Sequence, residues 1–288
     1  MAREKVRRYW SRLLFILPAL SMFGFVILIP AVGGVALSFF QWSGMGWSGD
    51  AAPKFVGLEN YRRILTQDDI FVSAFKHNVV YMLSTLVVEV AVGLALALLL
   101  DMISRGRDFF RVLLFVPMML SLTVIGMMWR FIFHPETGAL PGLLSDERTA
   151  LLTICAISGW TYCGFYMILF QAGLQRIPQD LYDAARIDGT GEFGRMLHVS
   201  IPLLRNTIWV SALLCVTGAF KSYDLFWVMT GGGPLHATEV VSTHLVQIAF
   251  TNHELGRGSA MAAIMSVLVL ALSLAYAWFG RKRQGDEY

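Results

Sequence analysis

The sequence predicts an all-α membrane protein with six transmembrane helices, and three observations predict it. The chain of 288 residues is 56% hydrophobic and only 15% charged, against about 25% charged for a soluble domain. Its apolar residues gather into six runs, each near the roughly 20 residues that a helix needs to cross a bilayer. Its basic residues sit at the ends of those runs. Backbone polar groups in hydrocarbon must be paired within the segment, so runs of this length read as helices. Helices apolar on every face are exceptional in water, which argues against a soluble bundle.

The first run, Leu13–Phe40, follows a basic start (Arg3, Lys5, Arg7, Arg8, Arg12). It is far longer than the apolar part of a signal peptide and reads as an uncleaved anchor, with Pro18 and Pro30 tolerated as kinks. A Gly-rich loop, Gln41–His77, becomes amphipathic at Glu59–Leu65. The second, third and fourth runs are Asn78–Leu100, Val112–Phe133 and Ala150–Gln171. A long connection, Ala172–Asn206, precedes the fifth run, Thr207–Met229. The loop Thr230–Gly258 opens on Gly231-Gly232-Gly233-Pro234, which stops a helix, and regains helical spacing at Val240–Phe250. Ser259–Phe279 is the sixth run. The whole chain is expected to form one transmembrane domain.

With the N-terminus in the cytoplasm, the inside segments hold fifteen Lys and Arg and the outer side seven, Arg130 at the outer end of the third run included. Both termini are therefore expected to be cytoplasmic. The same placement accounts for the net charge of +3, so no nucleic-acid partner is implied. Cys155, Cys163 and Cys215 fall within runs and lack CxxC spacing, so they read as small apolar residues. The six histidines have no metal-ligand spacing, and no catalytic constellation is visible.

The connection Ala172–Asn206 reads as helix, turn, helix. Pro178 suits the first helical position and Asp180 the first turn. Ile177, Leu181, Ala184 and Ala185 share a face. Asp188-Gly189 ends the helix, with Gly189 in the left-handed conformation. A second segment, Glu192–Ser200, leads to Pro202. A short helix with small residues outward suits a groove on another protein. Within the same loop Gly189-Thr190-Gly191-Glu192-Phe193-Gly194 matches G-x-G-x-x-G. The dinucleotide reading needs a preceding strand, whereas a helix is expected there.

Inside the runs, a central acidic residue such as Glu89 costs about 2.5–3.5 kcal/mol on insertion scales, so it should face the bundle interior, a partner or water. Lys221 and Asp224, three apart, can pair on one helix face. With Ser222 and Tyr223 they form a polar cluster, and Trp160, Tyr162, Tyr166 and Trp227 are aromatic platforms for a sugar. The alternative is that these aromatics anchor helices at the interface.

Asp183-Ala184-Ala185, then Gly189, Val199, Ile201 and Pro202 keep the spacing of the EAA motif of ABC importer permeases, which the chain resembles. Asp183, Val199 and Ile201 replace Glu, Ile and Leu with their character kept. Phe55-Val56-Gly57-Leu58-Glu59-Asn60-Tyr61, Arg111 with Pro117, Trp129 and Gly138, and Thr230-Gly231-Gly232-Gly233-Pro234 followed by Thr238 are similar to the first permease of sugar uptake systems for maltose, lactose and glycerol phosphate. The resemblance implies a type I importer permease in a prokaryotic plasma (inner) membrane. It implies a heterodimer with a second permease, two ATPase subunits and an external sugar-binding protein. Leu181, Asp183, Ala184, Ala185, Asp188, Gly189, Ile201 and Pro202 would couple this chain to an ATPase. The sequence has no G-x-x-x-x-G-K-[ST] loop, so ATP and Mg are expected on the partners and no cofactor in this chain. Two other readings remain: an importer for a non-sugar solute, and a self-contained secondary transporter, which would be built on inverted repeats.

Overall fold

The computed structural model describes residues 16–49, 52–103 and 105–285, with side chains to 278. The basic start Arg3–Arg12 and residues 13–15 of the first run lie outside the described residues. Four helices are long and apolar enough to cross a membrane: α1 (Ile16–Leu37), α3 (Asp69–Met102), α6 (Glu147–Leu174) and α12 (Leu255–Trp278). Two bent pairs bring the number to six if each is one span: α4 (Arg107–Met119) with α5 (Leu122–Ile132), bent by 92°, and α8 (Glu192–Leu203) with α9 (Arg205–Lys221), bent by 66°. Shorter helices are α2 (Glu59–Gln67), α7 (Gln179–Ile187), α10 (Asp224–Met229) and α11 (Val241–Val246).

Two of the six runs are not the continuous helices the sequence predicts. Val112–Phe133 breaks at Leu120-Ser121, where both residues are extended. Pro117 lies three residues before the break; its ring removes an N–H donor and crowds the preceding turn. Thr207–Met229 breaks at Ser222, which is extended, and Asp224 opens a new helix. The polar stretch Lys221-Ser222-Tyr223-Asp224 borders a cavity, where non-helical backbone is tolerated at membrane depth. The second and fourth runs are instead the hearts of longer helices.

Contacts divide the chain into two compact units, one from Met1–Gln67 with Leu245–Ile264, the other from Asp68–His244 with Met265–Tyr288. In the first unit, β1 (Phe40–Gln41) pairs antiparallel with β2 (Lys54–Phe55). Asn60 of α2 fastens this hairpin by donating to the carbonyls of Ser38 at 2.8 Å and Phe40 at 2.9 Å. Gly256 lies so close to the hairpin that a Cβ would sit 1.8 Å from the Phe40 oxygen. No residue of α1 from Gly24 to Leu37 is buried. Its large apolar side chains, such as Phe25 at 74% exposure, suit lipid or another subunit rather than water.

In the second unit α6 is the hub. One apolar cluster gathers Tyr81, Ile125, Ile154 and Phe226, and another Ala97, Tyr166, Met167, Phe170 and Leu204. Close approach rests on small residues, as is usual between membrane helices. A Cβ on Gly164 of α6 would lie 2.1 Å from the Leu114 oxygen of α4. The segment before α11 is fastened to α3 by polar groups. Asn78 donates to the Ala219 carbonyl at 3.2 Å and accepts from the Val241 N–H at 2.9 Å. His77 contacts the Glu239 carbonyl at 2.8 Å, and buried His244 sits 3.0 Å from the Asp68 carboxylate.

Candidate functional site

Two regions of the second unit carry the residues singled out in the sequence. The first is a cavity of about 310 Å³ among α3, α4, α6, α9 and α10. Glu89, Tyr162, Tyr166, Lys221, Tyr223 and Asp224 all line it. Trp160 and Trp227 are outside its lining and are about 40% exposed. Trp227 stacks on Tyr223 with centroids 5.7 Å apart, and Trp160 packs edge-on against Trp129 at 5.6 Å.

Glu89 reaches the cavity because α3 is locally a π-helix over Leu86–Ala91. The extra residue in that turn shifts the side-chain register, and such turns recur at functional sites. The carboxylate is buried, at 5% exposure. Ser158 donates to its Oε1 at 2.7 Å. Since the Ser158 proton is committed there, the Tyr81 hydroxyl, 2.7 Å from Ser158 Oγ, must be the donor of that bond. A directed chain therefore runs from Tyr81 through Ser158 to Glu89. On the other side Cys215 Sγ faces Oε2 at 3.9 Å, a weak contact that leaves this oxygen open as an acceptor. Lys221 and Asp224 do not form the ion pair that their spacing allows, because the helix breaks between them; among the described residues no ion pair within 4.0 Å joins them.

The second region is the cytoplasmic loop of the sequence reading. Pro178 is the residue before α7 rather than its first helical position, and α7 runs Gln179–Ile187. Its C-cap is Asp188, and Gly189 follows with φ +77°. The Gly189 N–H donates to the Arg186 carbonyl at 3.0 Å and the Thr190 N–H to Ala185 at 3.0 Å. The helix preceding Gly189, Gly191 and Gly194 removes the strand that a dinucleotide site needs. Leu181, Asp183, Ala184, Asp188 and Gly189 are exposed, and Ala185 is half-buried. Asp183 lies 3.4 Å from Arg186 on the surface. Tyr182 instead turns inward, its hydroxyl 3.1 Å from Ser200 Oγ, and ties α7 to α8. Ile201 and Pro202 occupy the last turn of α8, before the bend into α9.

Sequence reasoning missed several of these residues. Ser158, Tyr81 and Cys215 come to Glu89 from positions 8 to 126 residues away, and nothing local marks them. Ile187 and Phe193 flank the Gly189 turn with 87% and 70% exposure. Two large apolar side chains beside an Asp-Gly turn were a readable signal for a docking surface.

Long apolar helices, two bent pairs among them, a cavity in the second unit that carries ionisable and aromatic side chains, and a short exposed helix ending at a glycine turn are features of a membrane transport subunit. The chain belongs to the family described as the binding-protein-dependent transport system inner membrane component, which matches residues 89–285. A probable ABC transporter permease protein of Bacillus subtilis, YurN, is 37% identical over 276 residues, covering 91% of this chain and 92% of its own. The trehalose/maltose transport system permease protein MalF of Thermococcus litoralis is 31% identical over 287 residues, covering 94% of each. Among solved structures, a bacterial ABC transporter for import of the acidic polysaccharide alginate has a chain that superposes with a TM-score of 0.85. The two are 17% identical over 98% of both chains, a likeness of fold.

Proposed function

We propose that this chain is the first of two different permease subunits in an ATP-driven importer, and that it moves a sugar or oligosaccharide handed over by an external binding protein. The observation that carries the pathway is the cavity of about 310 Å³ lined by Glu89, Lys221, Asp224 and four tyrosines. Hydroxyl-rich, flat-faced solutes suit such a mixture of hydrogen-bonding groups and aromatic faces. A relative named as a trehalose/maltose permease supports the carbohydrate class. Six crossings, with each bent pair as one span and both termini in the cytoplasm of a prokaryote, agree with the placement of basic residues.

In this reading α7 and its Gly189 turn dock into a groove on an ATPase subunit. Leu181, Ala184, Ala185, Ile187 and Phe193 supply the apolar contact, and Asp183, Asp188, Ile201 and Pro202 hold the turn and its exit. ATP and Mg bind the two ATPase subunits, so the chain itself catalyses no reaction. Closure of the ATPases would move α7, and with it the two permeases, between inward-facing and outward-facing states.

The test is purification of the tagged chain in mild detergent, identification of the proteins that come with it, and uptake of labelled sugars by the complex in proteoliposomes. A second permease, an ATPase and a sugar-binding protein with ATP-dependent sugar uptake are expected. A chain that purifies alone and transports without ATP would establish the secondary-transporter reading in its place. ATP-driven uptake of a non-sugar solute alone would keep the class and remove the sugar.

A further inference from the structure

We propose that Glu89 makes the cavity a filter against anionic solutes, so that the carbohydrate carried is neutral or amino-bearing and not a uronate, sulfonate or phosphate. The inference rests on the reading of this cavity as the transport pathway, and it separates this chain from its structural neighbour, whose solute is acidic. Four observations carry it. The π-turn at Leu86–Ala91 places a carboxylate in the cavity wall. The Tyr81–Ser158 chain ends in a bond donated to Oε1 of that carboxyl, which occupies this oxygen as an acceptor. Among the described residues its second oxygen meets only the Cys215 thiol, at 3.9 Å. Finally, among the described residues Glu89 has no cationic partner within 4.0 Å.

The acidic groups of the lining are the carboxyls of Glu89 and Asp224, and its one basic group is Lys221. The open oxygen of Glu89 accepts from a sugar hydroxyl or an ammonium group, which are donors. An anionic group brings only acceptors and a like charge into a site of low dielectric.

The chain carries its own probe, since Cys215 lines the cavity and is one of three cysteines. The assembled importer, in nanodiscs, is treated with iodoacetamide or with iodoacetate, which differ in charge and little in size. Alkylation of Cys215 is followed by peptide mass spectrometry and each rate is divided by that of free cysteine. The iodoacetate-to-iodoacetamide ratio at Cys215 is expected to fall at least about tenfold below the free-thiol ratio. Glu89→Gln restores it. Ser158→Ala, which keeps the charge, leaves it low and covers the case in which Glu89→Gln fails to assemble. A ratio equal to that of free cysteine, a ratio unmoved by Glu89→Gln, or a Cys215 that neither reagent reaches overturns the proposal. This readout needs no knowledge of the solute, so it can stand when sugar uptake fails and fail when sugar uptake succeeds.

Discussion

Gly189→Val separates coupling from folding. Gly189 holds φ +77°, a conformation that costs a residue with a Cβ about 1–2 kcal/mol, with a β-branched residue at the upper end. A Cβ built there meets nothing within 4 Å, so the first side-chain atom of valine has open space. The whole penalty falls on the turn between α7 and α8. Relief of about 1–2 kcal/mol shifts the turn population by about 5- to 30-fold toward other geometries. The two bonds that close the turn, Gly189 N–H to Arg186 and Thr190 N–H to Ala185, are lost first. The assay is the reconstituted importer, with sugar uptake and ATP hydrolysis measured on the same vesicles. Assembly and basal hydrolysis should persist while uptake per ATP falls several-fold. Gly189→Asn, which tolerates the left-handed region far better, should retain most of it. Normal coupling in Gly189→Val would refute the assignment of this turn, and loss of assembly would refute the claim that strain stays local.

Gly164→Leu places side-chain atoms on a backbone oxygen of α4, 2.1 Å from the first of them, and should abolish a monodisperse protein by size-exclusion chromatography. His244→Ala removes a buried imidazole that sits 3.0 Å from the Asp68 carboxylate; deleting one partner of a buried hydrogen bond costs about 1–3 kcal/mol, so thermal denaturation in detergent should show a drop in Tm. Arg62 and Arg63 hold the exposed Glu59 carboxyl down to about 2 from its usual 4.5. A depressed carboxyl contributes stability above its unfolded value and loses it as pH falls toward the folded one. Replacing Glu59 with Gln should therefore change nothing in the pH dependence of Tm between 7 and 5, and should flatten any decline that appears from 4.5 toward 2.

The sequence made the membrane helices legible because length and apolarity are local properties. Glu89, Lys221 and Asp224 were legible for the same reason: a charge inside an apolar run stands out without any knowledge of its neighbours. The breaks were not. Leu120-Ser121 and Ser222 sit inside runs whose composition is uniformly compatible with helix, and a Pro117 within a membrane helix is as often a kink as a stop. Their positions are decided by what packs around them. The π-turn at Leu86–Ala91 is hidden for a further reason. It inserts one residue into a helix with no change in the apolar pattern, so the face that Glu89 occupies cannot be read from a period of 3.6. In the connection Ala172–Asn206 the turn at Asp188-Gly189 was readable because glycine alone fits that backbone at little cost. Tyr182 turned toward Ser200 was not, since its partner lies 18 residues away on another helix.

The departures from regular helix share a cause. A straight α-helix in a membrane satisfies every backbone group internally and leaves no polar surface for a solute. Two of the interruptions that border the cavity carry polar groups: the π-turn with Glu89, and the extended Ser222 between Lys221 and Asp224. Each frees polar atoms or redirects a polar side chain where the lining needs it, and each is stabilised by a cross-helix bond, Ser158 to Glu89 in the first and Ser242 to the Ser222 carbonyl in the second. Breaking a helix in lipid is costly, so two breaks meeting at one cavity mark it as the place where the fold gives up regularity for hydrogen-bonding capacity. The Gly189 turn is a different kind of departure. It lies in an exposed loop, and a Cβ added to its glycine would meet nothing within 4 Å. In the function proposed above, irregularity turned inward would supply contacts to a solute and irregularity turned outward a handle for an ATPase, and a chain that moves a solute with energy obtained elsewhere would need both.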